Sequence, residues 1–132
     1  MLLVDGRGTP LGVDIASASP AEVQLIEPLL KQRILRRRPK RLIYDRAADS
    51  DPLGTRLAKR CIELICPHRR GRTRPPTQDG RPLRRYKRRW TIERTISWLF
   101  NYRRLVVRYE RHDFLFRGFI QLACAFTLLK RF

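Results

Sequence analysis

The sequence predicts an α/β fold: a mixed sheet with helices on its faces. Short apolar runs alternate with helical patterns through residues 1–66, and two long helical patterns follow between residues 83 and 130. The 132 residues, 42% of them hydrophobic, are enough for one domain with a packed core and argue against wholesale disorder.

The charge of the chain predicts a polyanionic partner. Lys and Arg number 30 against 12 Asp and Glu, which gives a formal net charge of +18. Nucleic acid is the first candidate, because neutralising phosphates releases counterions and the arginine fork suits phosphate geometry. An anionic membrane is the second. The apolar run at residues 113–132 is interrupted by Arg117, Gly118 and Gln121, and a span needs roughly 20 apolar residues. We expect a buried helix there and no membrane partner.

The first elements read as a β-hairpin. Residues 1–4 form an apolar strand, a Gly-Arg-Gly turn follows at residues 6–8, and residues 11–16 return. A strand that opens the chain without lead-in residues suggests that the sheet begins upstream of Met1.

A helix follows the hairpin. Ser19 is predicted to be the N-cap, with Pro20 at the first helical position and Glu22 completing a capping box. Apolar residues then recur at helical spacing through Ile34. We expect the helix to end near residue 37, because Pro39 disfavours helical backbone at the residue before it.

The middle of the chain predicts strand, helix and strand. Residues 41–44 form a short apolar run that ends in Asp45, residues 52–60 have helical spacing, and residues 63–66 form another run ended by Pro67. Asp49 and Asp51 are expected to cap the intervening helix, since Pro52 suits its first turn.

A basic loop is predicted at residues 67–85, where four prolines and two glycines oppose regular structure. Ten Lys and Arg lie between residues 69 and 89, and Asp79 is the one acid among them. A solvated charge run is the usual interpretation. The concentration of charge in a globular chain favours an arm that contacts phosphates.

A long helix is predicted from about residue 83 to 107, and a last helix from about 114 to 130. Residues Ile92, Ile96, Leu99 and Phe100 share one face of the long helix. Glu93 is expected at the border of that face, in a stripe with Tyr86 and Arg89.

Two acids are candidates for metal chemistry. Asp45 ends a strand placed in the middle of the sheet, where ligands gather at the carboxyl ends of strands, and Glu93 lies on a helix that could cross this end. Two converging carboxylates could hold Mg²⁺ for phosphoryl transfer. The alternatives are ordinary ones. Arg89 and Glu93 are spaced as a helical ion pair, which spacing alone favours, and an aspartate after a strand is often a turn former or a helix cap.

The sequence resembles a known family. YKRRWTIERTISWLFNYRRLVVRYER is similar to the C-terminal signature of DDE-type insertion-sequence transposases of the insertion-sequence-five family, through Tyr86, Arg89 and Glu93. LIYDRAADSDPLGTRLAKRCIELICPHRRGR resembles the block around that family's second catalytic aspartate, which corresponds to Asp45, and LLVDGRGTPLGVDIASAS resembles the preceding hairpin.

This resemblance implies a ribonuclease-H-like fold whose acidic triad binds two Mg²⁺ ions, cuts DNA at the element ends and joins them to target DNA. It makes Asp45 and Glu93 catalytic metal ligands. It also implies DNA-binding roles for a basic set: Tyr86, Arg89, Arg88, Lys87, Arg85, Arg94, Arg69, Arg70 and Arg72.

Three departures from the family pattern shape the expectation. The family's first aspartate lies upstream of Met1, since Asp5 corresponds to a non-catalytic hairpin residue. Ala48 replaces a tyrosine, and Phe100 replaces a lysine. Residues 1–132 are thus expected to form a single, truncated ribonuclease-H-like domain whose first strand is missing.

Such a chain is expected to bind DNA, to cut it poorly when alone, and to act in the prokaryotic cytoplasm at the nucleoid. Its expected protein partners are a separately encoded N-terminal half, which supplies the absent aspartate, and a second copy of itself. The alternative is a non-catalytic basic protein that binds DNA or RNA.

Overall fold

The computed structural model describes residues 1–78 and 80–130, so Asp79 lies outside the described residues. Short strands and helices alternate along the first half of the chain, and helices follow, which confirms the α/β class. The elements are β1 (Leu2–Val4), β2 (Pro10–Val13), α1 (Glu22–Lys31), β3 (Arg41–Ile43), a 3₁₀ helix (Arg46–Ala48), α2 (Asp51–Ala58), β4 (Glu63–Ile65), α3 (Gly80–Leu83), a second 3₁₀ helix (Arg84–Arg89), α4 (Trp90–Leu99), α5 (Arg103–Val106) and α6 (Asp113–Leu129).

The strands form two separate pairs. β1 and β2 are antiparallel, with Leu2 opposite Val13, and β3 and β4 are parallel, with Arg41 opposite Glu63. Within the described ranges no backbone hydrogen bond joins one pair to the other. The expected single mixed sheet is therefore not formed by this part of the chain.

One hydrophobic core nevertheless supports both strand pairs. Leu3 of β1 and Leu42 of β3 are buried in the same cluster, together with Ile26 and Leu30 of α1 and Leu57 of α2. Because α1 contacts β1, β2 and the 3₁₀ helix that follows β3, it bridges the two pairs from one side. A smaller cluster joins α4 to α6.

Helix α1 differs from its prediction at both ends. It begins at Glu22 with Ala21 as N-cap, and no side chain caps it, so the predicted capping box is wrong. It ends at Lys31 rather than near residue 37. The Arg33 guanidinium donates to the carbonyl oxygens of Leu30 and Arg36, which turns the chain away from the helix axis. Ile34, expected on the buried face, is 73% exposed.

The predicted long helix at residues 83–107 is broken into a 3₁₀ helix, α4 and α5. Tyr102 leaves helical geometry and stacks on Phe126 of α6, with ring centroids 6.5 Å apart, so a tertiary contact replaces helix continuation. The buried face of α4 is Thr91, Thr95 and Leu99. Phe100, predicted to share the buried face, is 58% exposed.

Helix α6 matches the predicted terminal helix. It buries Ala123, Cys124 and Thr127 against α4 and its neighbours, while its opposite face stays exposed. None of the helices in the described ranges combines the length and apolarity that crossing a bilayer requires.

Candidate acidic site and nucleic-acid interface

The turn of the β1–β2 hairpin docks on α4 and fixes the helix that carries Glu93. The Thr95 hydroxyl lies 2.9 Å from the carbonyl oxygen of Gly8, and the Arg94 guanidinium donates to the carbonyl oxygen of Arg7 at 2.9 Å. Gly8 has φ +83°, and a Cβ there would lie 2.8 Å from the Thr95 hydroxyl oxygen. Only glycine allows this approach without strain.

Arg94 is held between two indole rings. Its guanidinium carbon lies 4.5 Å from the ring centroid of Trp90 and 4.7 Å from that of Trp98, one helical turn away on either side. The Nε atom of Arg94 is buried without a hydrogen-bond partner among the described residues. These contacts give Arg94 a role in packing the hairpin on α4. Its expected DNA contact remains a prediction.

Tyr86, Arg89 and Glu93 form a continuous series of contacts. Arg89 pairs with Glu93 (Nη2 to Oε1, 2.7 Å), and its guanidinium carbon lies 5.7 Å from the Tyr86 ring centroid. The predicted stripe is thus present, and the ion-pair interpretation of Glu93 is observed directly. The side chain of Glu93 is 53% exposed, so it is neither buried nor fully exposed. The buried face of α4 is formed by Thr91, Thr95 and Leu99.

Asp45 lies two residues after the end of β3 and is the N-cap of the first 3₁₀ helix. Its Oδ1 accepts a hydrogen bond from the amide of Ala47 at 2.9 Å, which is the capping role that an aspartate after a strand often has. Because β3 and β4 are parallel, Asp45 and the basic loop leave the same end of the strand pair. The 3₁₀ helix Arg84–Arg89 packs on β3. The segment that leads into the helix of Glu93 therefore contacts the strand that precedes Asp45.

Asp45 and Glu93 each commit one oxygen to the protein. Asp45 Oδ1 takes the Ala47 amide and Glu93 Oε1 takes Arg89. Within the described ranges the second oxygen of each carboxylate has no hydrogen-bond donor, so both side chains suit a divalent cation as oxygen donors. Across the described residues, however, no group of three or more His, Cys, Asp or Glu side chains is placed to hold a metal. The convergence of these two acids remains a prediction.

Asp49 and Asp51 hold the basic loop, and neither caps α2 as predicted. Ser50 is the N-cap, with Oγ 3.5 Å from the amide nitrogen of Leu53. Asp49 Oδ1 contacts Arg72 Nη1 at 3.0 Å, and Asp51 Oδ1 contacts Arg72 Nη2 at 2.8 Å. Both carboxylates are thus turned toward Arg72, and the N-cap position between them is taken by Ser50.

Further contacts make Asp49 the centre of this network. Its Oδ1 also lies 2.9 Å from His68 Nδ1, and its Oδ2 accepts from the backbone amide of Arg69 at 2.8 Å. Burial raises the pKa of the Asp49 carboxyl. The Arg69 amide, His68 and the charge of Arg72 outweigh that effect and leave the pKa below its usual range. The hydrogen bond from Arg72 likewise lowers the pKa of Asp51.

The predicted DNA-binding set divides into two groups. Arg70, Arg85, Lys87 and Arg88 are exposed, and no carboxylate in the described ranges pairs with them. By contrast, Arg69 donates to the carbonyl oxygens of Arg46 and Ala47, and the side chain of Arg72 is only 11% exposed.

Sequence reasoning missed three features of this region: the hairpin dock at Thr95, the Asp49 network, and a second cationic segment at residues 31–41. The sequence signal for the first was a Gly-Arg-Gly turn at residues 6–8 together with a Thr-x-x-x-Thr spacing at residues 91–95. The signal for the second was two acids four and six residues after Asp45, and for the third a run with seven cations and no acid.

Comparison with known proteins gives two matches. The family profile described as "Transposase DDE domain" matches residues 1–128. The chain is also similar to the "Putative transposase for insertion sequence element IS402" of Burkholderia cepacia, with 34% identity over 131 residues. That alignment covers 93% of this chain but 58% of the relative, so the chain spans little more than half of that protein's length. No solved structure matches.

Proposed function

Because the chain belongs to the DDE-domain family of insertion-sequence transposases, we propose that it forms part of the unit that cuts and joins DNA in a transposase of the insertion-sequence-five group. The Tyr86–Arg89–Glu93 contact series carries this proposal, since Arg89 contacts both of the other signature residues. Members of this family generally use a divalent metal ion.

Asp45 and Glu93 are the proposed Mg²⁺ ligands, joined by a third carboxylate from outside this chain. A divalent ion held there would supply activation of the attacking oxygen and stabilisation of the leaving one. Arg89 orients Glu93 through Oε1 and leaves Oε2 open, while the Ala47 amide orients Asp45 in the same way.

Exposed cations beside this site are the proposed contacts to the element-end DNA. Arg85, Lys87 and Arg88 lie on the 3₁₀ helix that packs on β3, and Arg70 lies in the basic loop. Such contacts position the phosphate backbone without reading base sequence. Arg69 and Arg72 hold the loop in place, so we expect them to act on DNA binding indirectly.

A separately encoded N-terminal half is the proposed protein partner. The outer edges of β1 and β3 are not paired with each other, although α1 and one core lie beneath both strand pairs. An added strand could pair with these edges, unite the sheet in a ribonuclease-H-like arrangement and bring the missing aspartate. Residues 1–132 would then be one incomplete domain that binds DNA at the nucleoid and cuts it poorly alone.

The exposed face of α6 is the proposed contact between two copies. Its apolar residues recur at spacings of four and three, as in a helix-pairing seam: Leu115, Phe119, Leu122, Phe126 and Leu129, each at least 36% exposed. From Gly118 to Leu129 the helix carries no charged residue. Two highly cationic chains could therefore approach each other along this surface without repulsion between like charges.

The catalytic proposal is tested by nicking of element-end DNA with Mg²⁺ or Mn²⁺. We expect no nicking by the isolated chain, nicking when the upstream reading frame is supplied, and loss of nicking with Glu93→Gln. Robust nicking by the isolated chain would overturn the requirement for a partner and point to another acid of this chain.

A second function, non-catalytic binding of DNA or RNA, is favoured by one observation: Glu93 is an exposed ion-pair partner of Arg89. This alternative requires that Asp45→Asn and Glu93→Gln leave nucleic-acid binding unchanged with and without Mg²⁺. It also requires RNA to compete as well as DNA. The catalytic proposal requires instead that Mg²⁺ binding in the assembled protein fall in both variants.

A further inference from the structure

A second cationic surface lies at the opposite end of the β3–β4 pair from Asp45. Residues 31–41 contain seven Lys and Arg and no Asp or Glu. This segment leads into β3, whereas Asp45 and the basic loop follow β3 and β4. Because the two strands are parallel, residues that precede them gather at one end and residues that follow them gather at the other. The molecule thus has cationic surfaces at both ends of this strand pair.

The 31–41 segment is built around one arginine. The half-buried Arg33 donates through Nη1 to the carbonyl oxygen of Leu30 at 2.6 Å and through Nη2 to that of Arg36 at 3.1 Å. The amide of Ile34 donates to the carbonyl oxygen of Leu11 at 2.8 Å, which ties the segment to the chain at β2. The guanidinium of Arg33 is therefore bound to backbone carbonyl groups, and it fixes the conformation of the residues that follow.

The cations at residues 36–40 form no ion pair within the described part of the chain. Arg36, Arg37, Arg38 and Lys40 are exposed, and no carboxylate in the described part of the chain pairs with them, whereas Arg41 pairs with Glu63 at 2.9 Å. The basic loop is different, since Asp49 and Asp51 neutralise its Arg72. Four cations without carboxylate partners, within five residues of a loop that is tied to β2, attract phosphates strongly.

We propose that residues 36–40 bind the phosphate backbone of a second DNA duplex, while the Arg84–Arg89 surface holds the first. This inference rests on the proposed transposase function, in which an element end and a target must meet in one complex. Binding here is independent of base sequence, because the contacts are to phosphate. Ile34 and Leu35, 73% and 53% exposed, would also suit an anionic lipid surface, which the test includes.

The test counts short duplexes bound per chain, by mass photometry or calorimetry, for the full chain and two triple variants. Arg36, Arg37 and Arg38 are replaced by Gln in the first variant, and Arg85, Lys87 and Arg88 in the second. We expect two duplexes per chain for the wild type and one for each variant. A plot of the logarithm of the binding constant against the logarithm of salt concentration should become less steep. Its slope should fall in magnitude by up to about 0.9 for each phosphate contact removed. Lys at positions 36–38 should restore the second duplex.

The two proposals fail in different ways. If the 36–38 variant still binds two duplexes, the inference about the second surface is wrong, whatever the second variant does. It is equally wrong if this variant loses binding only to vesicles of anionic phospholipid and keeps its DNA stoichiometry. If the 85, 87 and 88 variant keeps full affinity for element-end DNA, the DNA-contact role proposed for the Arg84–Arg89 surface is wrong instead. Circular dichroism of both variants is the folding control, and we expect both to remain folded because every replaced side chain is exposed.

Discussion

Replacing Gly8 with alanine should weaken the packing of the hairpin turn against α4. Gly8 has φ +83°, where a residue with a Cβ is strained, and its Cβ would lie 2.8 Å from Thr95 Oγ1 and 3.3 Å from Arg94 Nη2. Thr95 is fully buried, so the added atom has no free space to enter. The contact between the Thr95 hydroxyl and the Gly8 carbonyl must lengthen or break.

The magnitude follows from two contributions. Left-handed backbone geometry costs about 1–2 kcal/mol for a residue with a side chain, and loss of a buried hydrogen bond costs about 1–3 kcal/mol. Relief of part of the clash by small shifts leaves an expected loss of about 2–4 kcal/mol. For a domain with a stability of about 5–15 kcal/mol, that loss is a large fraction of the total.

The assay is urea unfolding followed by tryptophan fluorescence, since Trp90 and Trp98 flank Arg94 beside the hairpin. Gly6→Ala is the matched control in the same turn. No heavy atom lies within 4 Å of its added Cβ, and Gly6 has no positive φ. We expect Gly6→Ala to stay within about 1 kcal/mol of the wild type. Equal stability of the Gly8→Ala and Gly6→Ala variants would refute the proposed docking of the turn on α4.

Three further predictions concern the site. Glu93→Gln should change the free energy of unfolding by no more than about 0.5 kcal/mol, because the Arg89–Glu93 pair is exposed; a larger loss in urea unfolding would assign Glu93 a structural role. Thr95→Val should destabilise by about 1–3 kcal/mol in the same assay, because the carbonyl oxygen of Gly8 loses its hydroxyl partner, and an unchanged midpoint would contradict this. Asp49→Asn should release the basic loop, seen as faster proteolysis at residues 67–78. The pKa of Asp49 is depressed in the folded state, so its stabilisation is present above about pH 4, the usual carboxyl range, and is lost as the pH falls below it. The stability difference between Asp49→Asn and wild type should therefore be largest near neutral pH and shrink in acid, and a constant difference would contradict the linkage.

Sequence patterns correctly predicted the elements that depend on interactions between residues close in sequence. The hairpin turn at residues 6–8, β3, α2, β4 and α6 each follow from short runs of apolar spacing with turn residues beside them. Errors arose where a tertiary contact competes with the local preference. Arg33 ended α1 six residues before its predicted end, and the stacking of Tyr102 on Phe126 ended the long helix.

The site was less accessible to sequence reasoning, because its geometry depends on long-range contacts. The i,i+4 spacing was sufficient to predict the Arg89–Glu93 pair. No local rule indicates that Arg94 turns inward between two tryptophans, or that Arg72 is held by Asp49 and Asp51 more than twenty positions away. Arginines in one charge run therefore divide into structural and exposed groups that composition alone cannot separate.

Asp45 is among the acids that form no ion pair within the described ranges. Acids are scarce in this chain, and several of them hold arginines: Glu27 pairs with Arg56 and Arg60, and Glu110 pairs with Arg104. Asp45 pairs with no cation in the described part of the chain, although 30 Lys and Arg are available. A carboxylate without a cationic partner, at the end of a parallel strand pair, would be available to coordinate a divalent ion. If Asp45 only capped the 3₁₀ helix, Asp45→Asn would keep the cap through its side-chain oxygen and leave nicking by the assembled protein intact. Loss of nicking with unchanged stability would instead assign Asp45 to the chemistry.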